Sequence, residues 1–551
     1  MRPRASLALI LLLACAPSSN NVESTSSTAA SSTISGSSVP INGADSCWEA
    51  PAGDGDGGFV DATEELGMIE PLLGMRAHAG GWGDVNGDGY LDLFVGSFAG
   101  ASAETFEVRG ATGPSPDRLL LGGPQGFTMA DSFLDEPTRT SGVAMADLDG
   151  DSDLDLVLDR YPRERASIGS VLLENQGGSF TEVAGSGLDG ALAGRSVGVL
   201  DFDRDGLLDL IQVGDPRGEG SSRLLHNDGG LTFSDVTGTA FVDGVLGLGV
   251  STADLNGDSF TDVFIGGSNR LFVGTEEGTL REVESNVFDW EVFGPEDDVA
   301  GVAIADLNRD GRPDVVIGHH FNSTLNSGSL VPVRVYLNDG DTGTGDPTFS
   351  DVTDEAGMPG MATKAPHVEI VDFDNDGWPD ILTTASADGG PAIFRHEGLV
   401  DGVPRFSTPS GLGTPQYWVT GPTADVNRDG RMDVFLAEWK PALPSLMLLN
   451  DAAGGNWLSV EIDLAAGGGV GATVAVYEAG KATAPESLVG LREISVSVGY
   501  AAGSPPWAHF GLGSLASVDL RVALPDGRTY AFDAVPANRH LVVPDGCGGE
   551  N

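Results

Sequence analysis

Cysteine is nearly absent from this chain. There are three in 551 residues, Cys15, Cys47 and Cys547, with no CxxC pair and no zinc-ligand spacing to the scattered histidines. That excludes a zinc-ribbon or a densely disulfide-stapled scaffold. Basic residues are also scarce: 29 Lys+Arg stand against 81 Asp+Glu, a formal net charge of −52. Such a charge argues against nucleic acid or an anionic membrane face as a partner and leaves cations, basic proteins and neutral glycans open. Past Ala14 no apolar run approaches the roughly 20 residues a spanning helix needs, and helical periodicity is missing throughout. Glycine, by contrast, is plentiful at 80 residues, and the 40% hydrophobic content is enough for large cores. The length has room for two or three domains.

Residues 1–15 read as a targeting segment. Arg2 and Arg4 precede an apolar run from Ala5 to Ala14 that is too short to span a bilayer. Its end, Leu12-Leu13-Ala14-Cys15, resembles the bacterial lipoprotein signal box, which makes Cys15 the lipidated residue of the mature chain; an ordinary signal peptide is the alternative. Ala16 after the cysteine, rather than Asp, favours the outer membrane by analogy with Gram-negative lipoproteins. Residues 16–46 are Ser/Thr/Asn/Ala-rich and cannot bury enough surface to fold, so they read as a disordered stalk.

From residue 47 to 455 one nine-residue pattern recurs seven times, with oxygen-bearing side chains at positions 1, 3, 5 and 9. The first loop is Asp84, Asn86, Asp88, Asp92; the second Asp147, Asp149, Asp151, Asp155; the third Asp201, Asp203, Asp205, Asp209. The fourth is Asp254, Asn256, Asp258, Asp262; the fifth Asp306, Asn308, Asp310, Asp314. The sixth is Asp372, Asp374, Asp376, Asp380, and the seventh Asp425, Asn427, Asp429, Asp433. First aspartates lie 63, 54, 53, 52, 66 and 53 residues apart, a repeat near 53 with two insertions. Each loop follows a small/apolar alternation such as Gly301-Val-Ala-Ile-Ala305. Each precedes a short apolar run, then a Leu-Leu-x-Asn and a Phe-x-Asp-Val-Thr segment. That is about four short strands per repeat, the pattern of a β-propeller. Phe59-Val-Asp-Ala-Thr63 precedes the first loop and a Leu-Leu-Asn segment at 448–450 follows the last, so the expected ring has seven blades, the N-terminal strand completing the final one.

Side-chain oxygens at this spacing converge on a hard cation, and calcium is the usual guest. Position 7 contributes a backbone carbonyl, so its side chain is free to vary: Tyr90, Asp153, Leu207, Phe260, Arg312, Trp378 and Arg431. Glycine at position 6 permits a positive φ; Ser152 and Ser259 stand there in loops two and four, which ranks those two sites weaker. Up to seven Ca²⁺ would move the formal charge from −52 to −38, coupling folding to the ion. An EF-hand fails because position 12 is not Glu (Val95 in loop one) and strands, not helices, flank the loops.

After residue 456 the loops stop. Segments such as Trp457–Leu464, Ala472–Tyr477, Glu493–Val498 and Val518–Val522 alternate like half-buried strands, a small separate β domain over 456–544 with a tail at 545–551. Cys47 and Cys547 flank the folded units, and in an oxidising compartment a mutual disulfide competes with two free thiols.

The Asp-x-Asp/Asn-x-Asp-Gly-x-x-Asp hairpins after Gly-x-Ala motifs resemble FG-GAP (VCBS-type) repeats, the kind that build the integrin α-subunit propeller. The C-terminal block resembles the ASPIC/UnbV domain in Gly471-Ala-Thr-Val, Gly499-Tyr500, His509-Phe-Gly-Leu-Gly513, Val518-Asp-Leu-Arg-Val522 and Pro525-Asp-Gly-Arg528. Together they look like the cartilage acidic protein/UnbV type. The resemblance implies an all-β chain, a seven-bladed propeller with calcium in its hairpins plus a small β domain, in an extracellular setting and with no agreed chemical activity. No nucleophile–base pair stands at a recognisable spacing. The expectation is therefore a non-enzymatic, calcium-stabilised surface protein recognising a protein or glycan through its loops. A polysaccharide-acting enzyme with a site in the propeller channel or loops is the alternative. His509 reads as a structural turn histidine, and Trp82, Trp378, Trp418 and Trp439 as packing between blades rather than a sugar-stacking face.

Overall fold

The computed structural model describes residues 47–544 apart from 54–57, 132, 163–168, 189–193, 217–219, 285–286, 289–297, 321–329, 342, 362–365, 385–391, 408–409, 413–417, 465–467 and 483. The targeting segment, the stalk, Cys15 and Cys547 lie outside the described residues. Among them there is no α-helix, and no helix long and apolar enough to cross a membrane.

Among the described residues the repeat section contributes four antiparallel strands to each of seven sheets, the first of which gains a fifth, parallel strand from residues 502–503, and each ion-type loop joins the first repeat strand of its sheet to the second. In the fifth sheet Asp298–Ala305 pairs with Asp314–His320, which pairs with Arg334–Asp341 and then Pro347–Asp351. Consecutive sheets pack face to face around a ring, a β-propeller. The last sheet takes its fourth strand from the other end of the repeat section: Phe59–Asp61 pairs with Leu446–Asn450, Val60 opposite Leu449. Closure is packed as well, because the Trp82 indole N–H donates to the Pro422 carbonyl (3.2 Å) and one core joins Trp82, Leu93 and Leu120 to Phe435 and Met447. The ring hides strand edges that an open array would leave exposed.

The first strands are small-residue-rich because they converge on the axis. A Cβ on Gly249 would sit 2.0 Å from the Ala300 carbonyl oxygen, and one on Gly301 2.5 Å from that of Pro366. Serines on the same strands hand a hydroxyl to the next sheet: Ser141 to Gly194 (2.5 Å), Ser196 to Leu248 (2.8 Å) and Ser251 to Val302 (2.7 Å).

Beyond the ring, two four-stranded sheets enclose a core of Leu458, Val460, Val474, Val476, Phe510, Leu520 and Val522. One of these sheets includes Trp48–Glu49, hydrogen-bonded to Arg539–Val543 with Trp48 opposite His540, so the chain enters this domain before it enters the ring. The same domain sends one segment into the ring. Ala502–Gly503 pairs in parallel with Gly80–Gly81, and Gly499 exchanges backbone hydrogen bonds with Val302 (3.0 and 3.3 Å). The Ala501 N–H reaches Ser196 Oγ (3.4 Å) and the Tyr500 N–H reaches His367 Nδ1 (3.2 Å). Contact with first strands on opposite sides of the ring places this segment in the central channel. The second domain thus lies partly inside the propeller and not only beside it: Tyr500 and Ala501 share one core with the channel residues Ala79, Val143, Leu248 and Ala300, and backbone groups of the first strands are paired there.

Candidate metal centres on one rim of the ring

All seven loops turn on their own carboxylates. In loop five the N–H groups of Asp310 and Gly311 donate to the two oxygens of Asp306 (3.2 and 2.9 Å), that of Asp310 also to Asn308 Oδ1 (3.1 Å), and that of Arg312 to Asp310 Oδ1 (3.0 Å). Position nine closes the turn: one oxygen of Asp314 accepts from Leu307 (2.8 Å), the other from Asn338 on the third strand (2.8 Å). Loop one repeats this through Asp92, with Val85 (2.9 Å) and Gly122 (2.8 Å), and loop seven through Asp433, with Val426 (3.0 Å) and Asn450 (2.8 Å).

Position-nine carboxylates are fully buried. Burial pushes Asp92 and Asp209 up to about 8 and Asp155 and Asp380 up to about 7, and holds Asp262, Asp314 and Asp433 well above the carboxylate range, against the backbone donors. The position-one acids move the same way: burial and then neighbouring loop carboxylates raise Asp201 to about 6, and Asp306 sits at about 6 as well. Desolvated like charges facing one point are what a cation relieves. In loops two, three and six, three carboxylates each bring oxygens within 4.8 Å of one another: Asp147/Asp149/Asp155, Asp201/Asp203/Asp209 and Asp372/Asp374/Asp380. Asp201 Oδ1 and Asp374 Oδ1 are buried with no hydrogen-bond partner. An all-oxygen donor set with orphaned buried oxygens fits a hard divalent ion.

The loops are not equivalent. In loop six Arg395 contacts Asp380 (2.6 Å) and Asp374 (3.4 Å), placing a guanidinium against positions nine and three. Loop three has His226 beside it, Nε2 at 3.2 Å from Asp203 and 3.6 Å from Asp205. Ser152 (φ 75°) and Ser259 (φ 69°) make the same position-six turn as glycine, donating to Asp147 (3.0 Å) and Asp254 (2.8 Å).

Two features were not read from the pattern. Position four also takes a positive φ in every loop, and in loops three, five and seven it is Arg204 (61°), Arg309 (58°) and Arg428 (57°). Each guanidinium lies over the position-seven aromatic of the next loop around the ring: Arg204 over Phe260 (3.6 Å), Arg309 over Trp378 (3.6 Å), Arg428 over Tyr90 (4.8 Å). Position seven therefore varies with a partner as well as being free of side-chain ligation. The alternation of Arg at four with an aromatic at seven of the following repeat was a signal present in the chain. The other feature is the Asn of the Leu-Leu-x-Asn segments, which ties its sheet to the preceding loop: Asn175 Nδ2 donates to Val85 O (2.7 Å), Asn338 to Leu255 O (2.7 Å), Asn450 to Phe373 O (2.7 Å).

His509 is structural. Its Nε2 meets Asn375 Oδ1 (2.9 Å), whose Nδ2 donates to Gly430 O (2.8 Å), joining loops six and seven to the second domain; burial pushes its imidazole down to about 3. Trp82 and Trp418 are fully buried, Trp378 is stacked on His396 (4.8 Å), and Trp439 carries the Arg76 guanidinium on its face (4.7 Å). Cys47 is disulfide-bonded, next to a strand paired with the C-terminal Arg539–Val543; Cys547, its expected partner, lies outside the described residues. The segment around Gly499–Gly503 occupies part of the channel offered as the alternative catalytic location, and a cavity of about 130 Å³ remains between first-strand residues such as Ser251 and Thr423 and the second domain.

An FG-GAP-like repeat matches residues 261–317 and 372–436, and ASPIC and UnbV matches 466–548. Mouse cartilage acidic protein 1 is 26% identical over 381 residues, covering 65% of this chain and 55% of its own length. The Xenopus tropicalis protein of that name is 28% identical over 302 residues (52% and 42%), and chicken integrin alpha-V 24% over 317 residues (52% and 27%). The chain spans about half the length of the cartilage acidic proteins it matches. The propeller thus carries two matches to the FG-GAP-like repeat and the second domain matches ASPIC and UnbV, and the chain is similar to cartilage acidic protein 1.

Proposed function

We propose that the protein is a calcium-stabilised, non-enzymatic binding protein of the cell envelope that recognises a protein or glycan through its propeller. It would be exported and held at the outer membrane by a lipid on Cys15, with residues 16–46 as the spacer. The seven sheets are read as seven blades, the seven loops as sites for up to seven Ca²⁺. The observation that carries the reading is the seven-fold recurrence of one oxygen-lined turn at the same corner of successive sheets. With 24 aspartates at ligand positions, such a rim repels itself until cations arrive. The ions serve as scaffold, and recognition falls to the surfaces they hold in place. Loops five, six and seven, where Arg312, Arg395 and Arg431 each neutralise part of the carboxylate set, would depend less on the ion than the other loops.

Adding excess EGTA to the purified chain tests this: its melting temperature drops, loops become protease-sensitive, and calcium restores both. Several sites at about ten times their dissociation constants each contribute about 1.4 kcal/mol, so the combined shift is large. Unchanged melting and protease resistance in EGTA would sink the calcium reading. A protein and glycan array probed with and without calcium tests the binding reading.

A further inference from the structure

Between loops one, two and seven and the second domain lies a cavity of about 310 Å³. That is at the lower end of the roughly 300–1,000 Å³ typical of small-ligand sites. Its wall is aromatic. Trp48 stacks on His540 (centroids 5.6 Å, interplanar 4°), and Trp507 meets the same imidazole edge-on (5.2 Å, 76°). Both indoles are half-buried and line the space, although neither belongs to a repeat. Polar groups of both kinds face it: the carboxylates of Asp84, Asp153, Asp425, Glu461 and Asp463, and the donor Arg428, whose guanidinium lies 5.9 Å from the Trp48 ring centre. Glu461 Oε2 is held by His540 Nε2 at 2.9 Å, itself steadied by Ser459 Oγ at 3.2 Å, so the acceptor is pre-positioned.

The chemistry narrows the occupant. A purely apolar ligand would strip water from the carboxylates and the guanidinium without replacing its hydrogen bonds. An anion would face the cavity's carboxylates; with Asp84 and Asp425 given to the ions of loops one and seven, an organic cation would compete with those ions and with Arg428 for the remaining three. A pyranose ring suits the mixture: its C–H face lies on an indole while its hydroxyls donate to carboxylates and accept from a guanidinium. We propose that the cavity walled by Trp48 and Trp507 binds one neutral sugar unit of a glycan. This deepens the binding function proposed above and rests on it.

The test uses the full chain with calcium, titrated with the methyl glycosides of glucose, galactose and N-acetylglucosamine. Readouts are tryptophan fluorescence and saturation-transfer NMR. Saturable binding of at least one glycoside is expected, weakened about tenfold or more by Trp48→Ala, Trp507→Ala or Glu461→Gln. Trp507 also packs against the core of the first sheet, so melting curves accompany each variant; if Trp507→Ala fails to fold, the other two carry the same reading. No saturation by any of the three glycosides, or binding indifferent to all folded variants, overturns the proposal. So does saturation by tetramethylammonium in place of the sugars, which would make the cavity a cation cage. Array binding that survives Trp48→Ala and Glu461→Gln would leave the broader function standing without this site. Sugar binding with no stability response to EGTA would do the reverse.

Discussion

Gly430 and Gly206 occupy the same place, position six of loops seven and three, with φ of 81° and 91°. Alanine at either costs about 1–2 kcal/mol for the left-handed backbone, of which about 0.4–1 kcal/mol is returned by the stiffer unfolded chain. Gly206→Ala therefore costs about 1 kcal/mol, because its Cβ meets nothing within 4 Å. At Gly430 the new Cβ falls 2.0 Å from Cε2 and Nε1 of Trp457, a fully buried ring of the second domain whose N–H donates to Ala50 O at 3.2 Å. Displacing that ring adds about 1–3 kcal/mol of overpacking and about 1 kcal/mol for the hydrogen bond. Gly430→Ala should then be about 2–4 kcal/mol worse than Gly206→Ala. Guanidinium denaturation at saturating calcium, followed by tryptophan fluorescence, reads the difference as a separation of midpoints. Ser152→Gly and Ser259→Gly, which relieve native left-handed serines at φ 75° and 69°, should move the midpoint up by about 1 kcal/mol or less. Equal losses for the two glycine variants would refute docking of the second domain onto loop seven.

Without metal, the position-nine aspartates have folded pKa values raised to about 7–8 at Asp92, Asp155, Asp209 and Asp380. Their stabilising effect is complete below about pH 4 and is lost as pH rises toward 8, on the order of 4 kcal/mol for each group shifted three units. In EGTA, stability should fall from pH 5 to pH 8, and calcium should flatten or reverse that slope; a rise with pH in EGTA contradicts it. Arg309→Gln removes a guanidinium from the Trp378 face and should cost about 0.5–2 kcal/mol by denaturant midpoint, whereas no change would mean the clasp adds nothing. Peptide mapping without reductant should recover a linked Cys47–Cys547 peptide, and free thiol at both cysteines would end that pairing.

Much was legible in the chain because repetition averages out local ambiguity. Seven aspartate loops in one frame specify a strand–turn–strand unit and its out-of-phase closure, and Phe59–Asp61 does pair with Leu446–Asn450. Oxygens at positions 1, 3, 5 and 9 define the candidate ion sites by spacing alone, since the turn is local. His509 and the buried Trp82 and Trp418 fall where packing arguments put them.

What only the tertiary structure decided involves residues far apart in sequence. Arg428 meets Tyr90 because the ring closes, 338 positions after the chain passed that residue. Gly499 and Tyr500 read as a domain motif, yet they occupy part of a channel formed by first strands from blades all round the ring. Trp48 and Trp507 share a cavity only because the first strand of the described chain joins the last sheet. Local spacing fixes which atoms of a nine-residue turn face one another. Which surfaces of a closed ring meet depends on how all seven units pack at once, and no single window of sequence contains that.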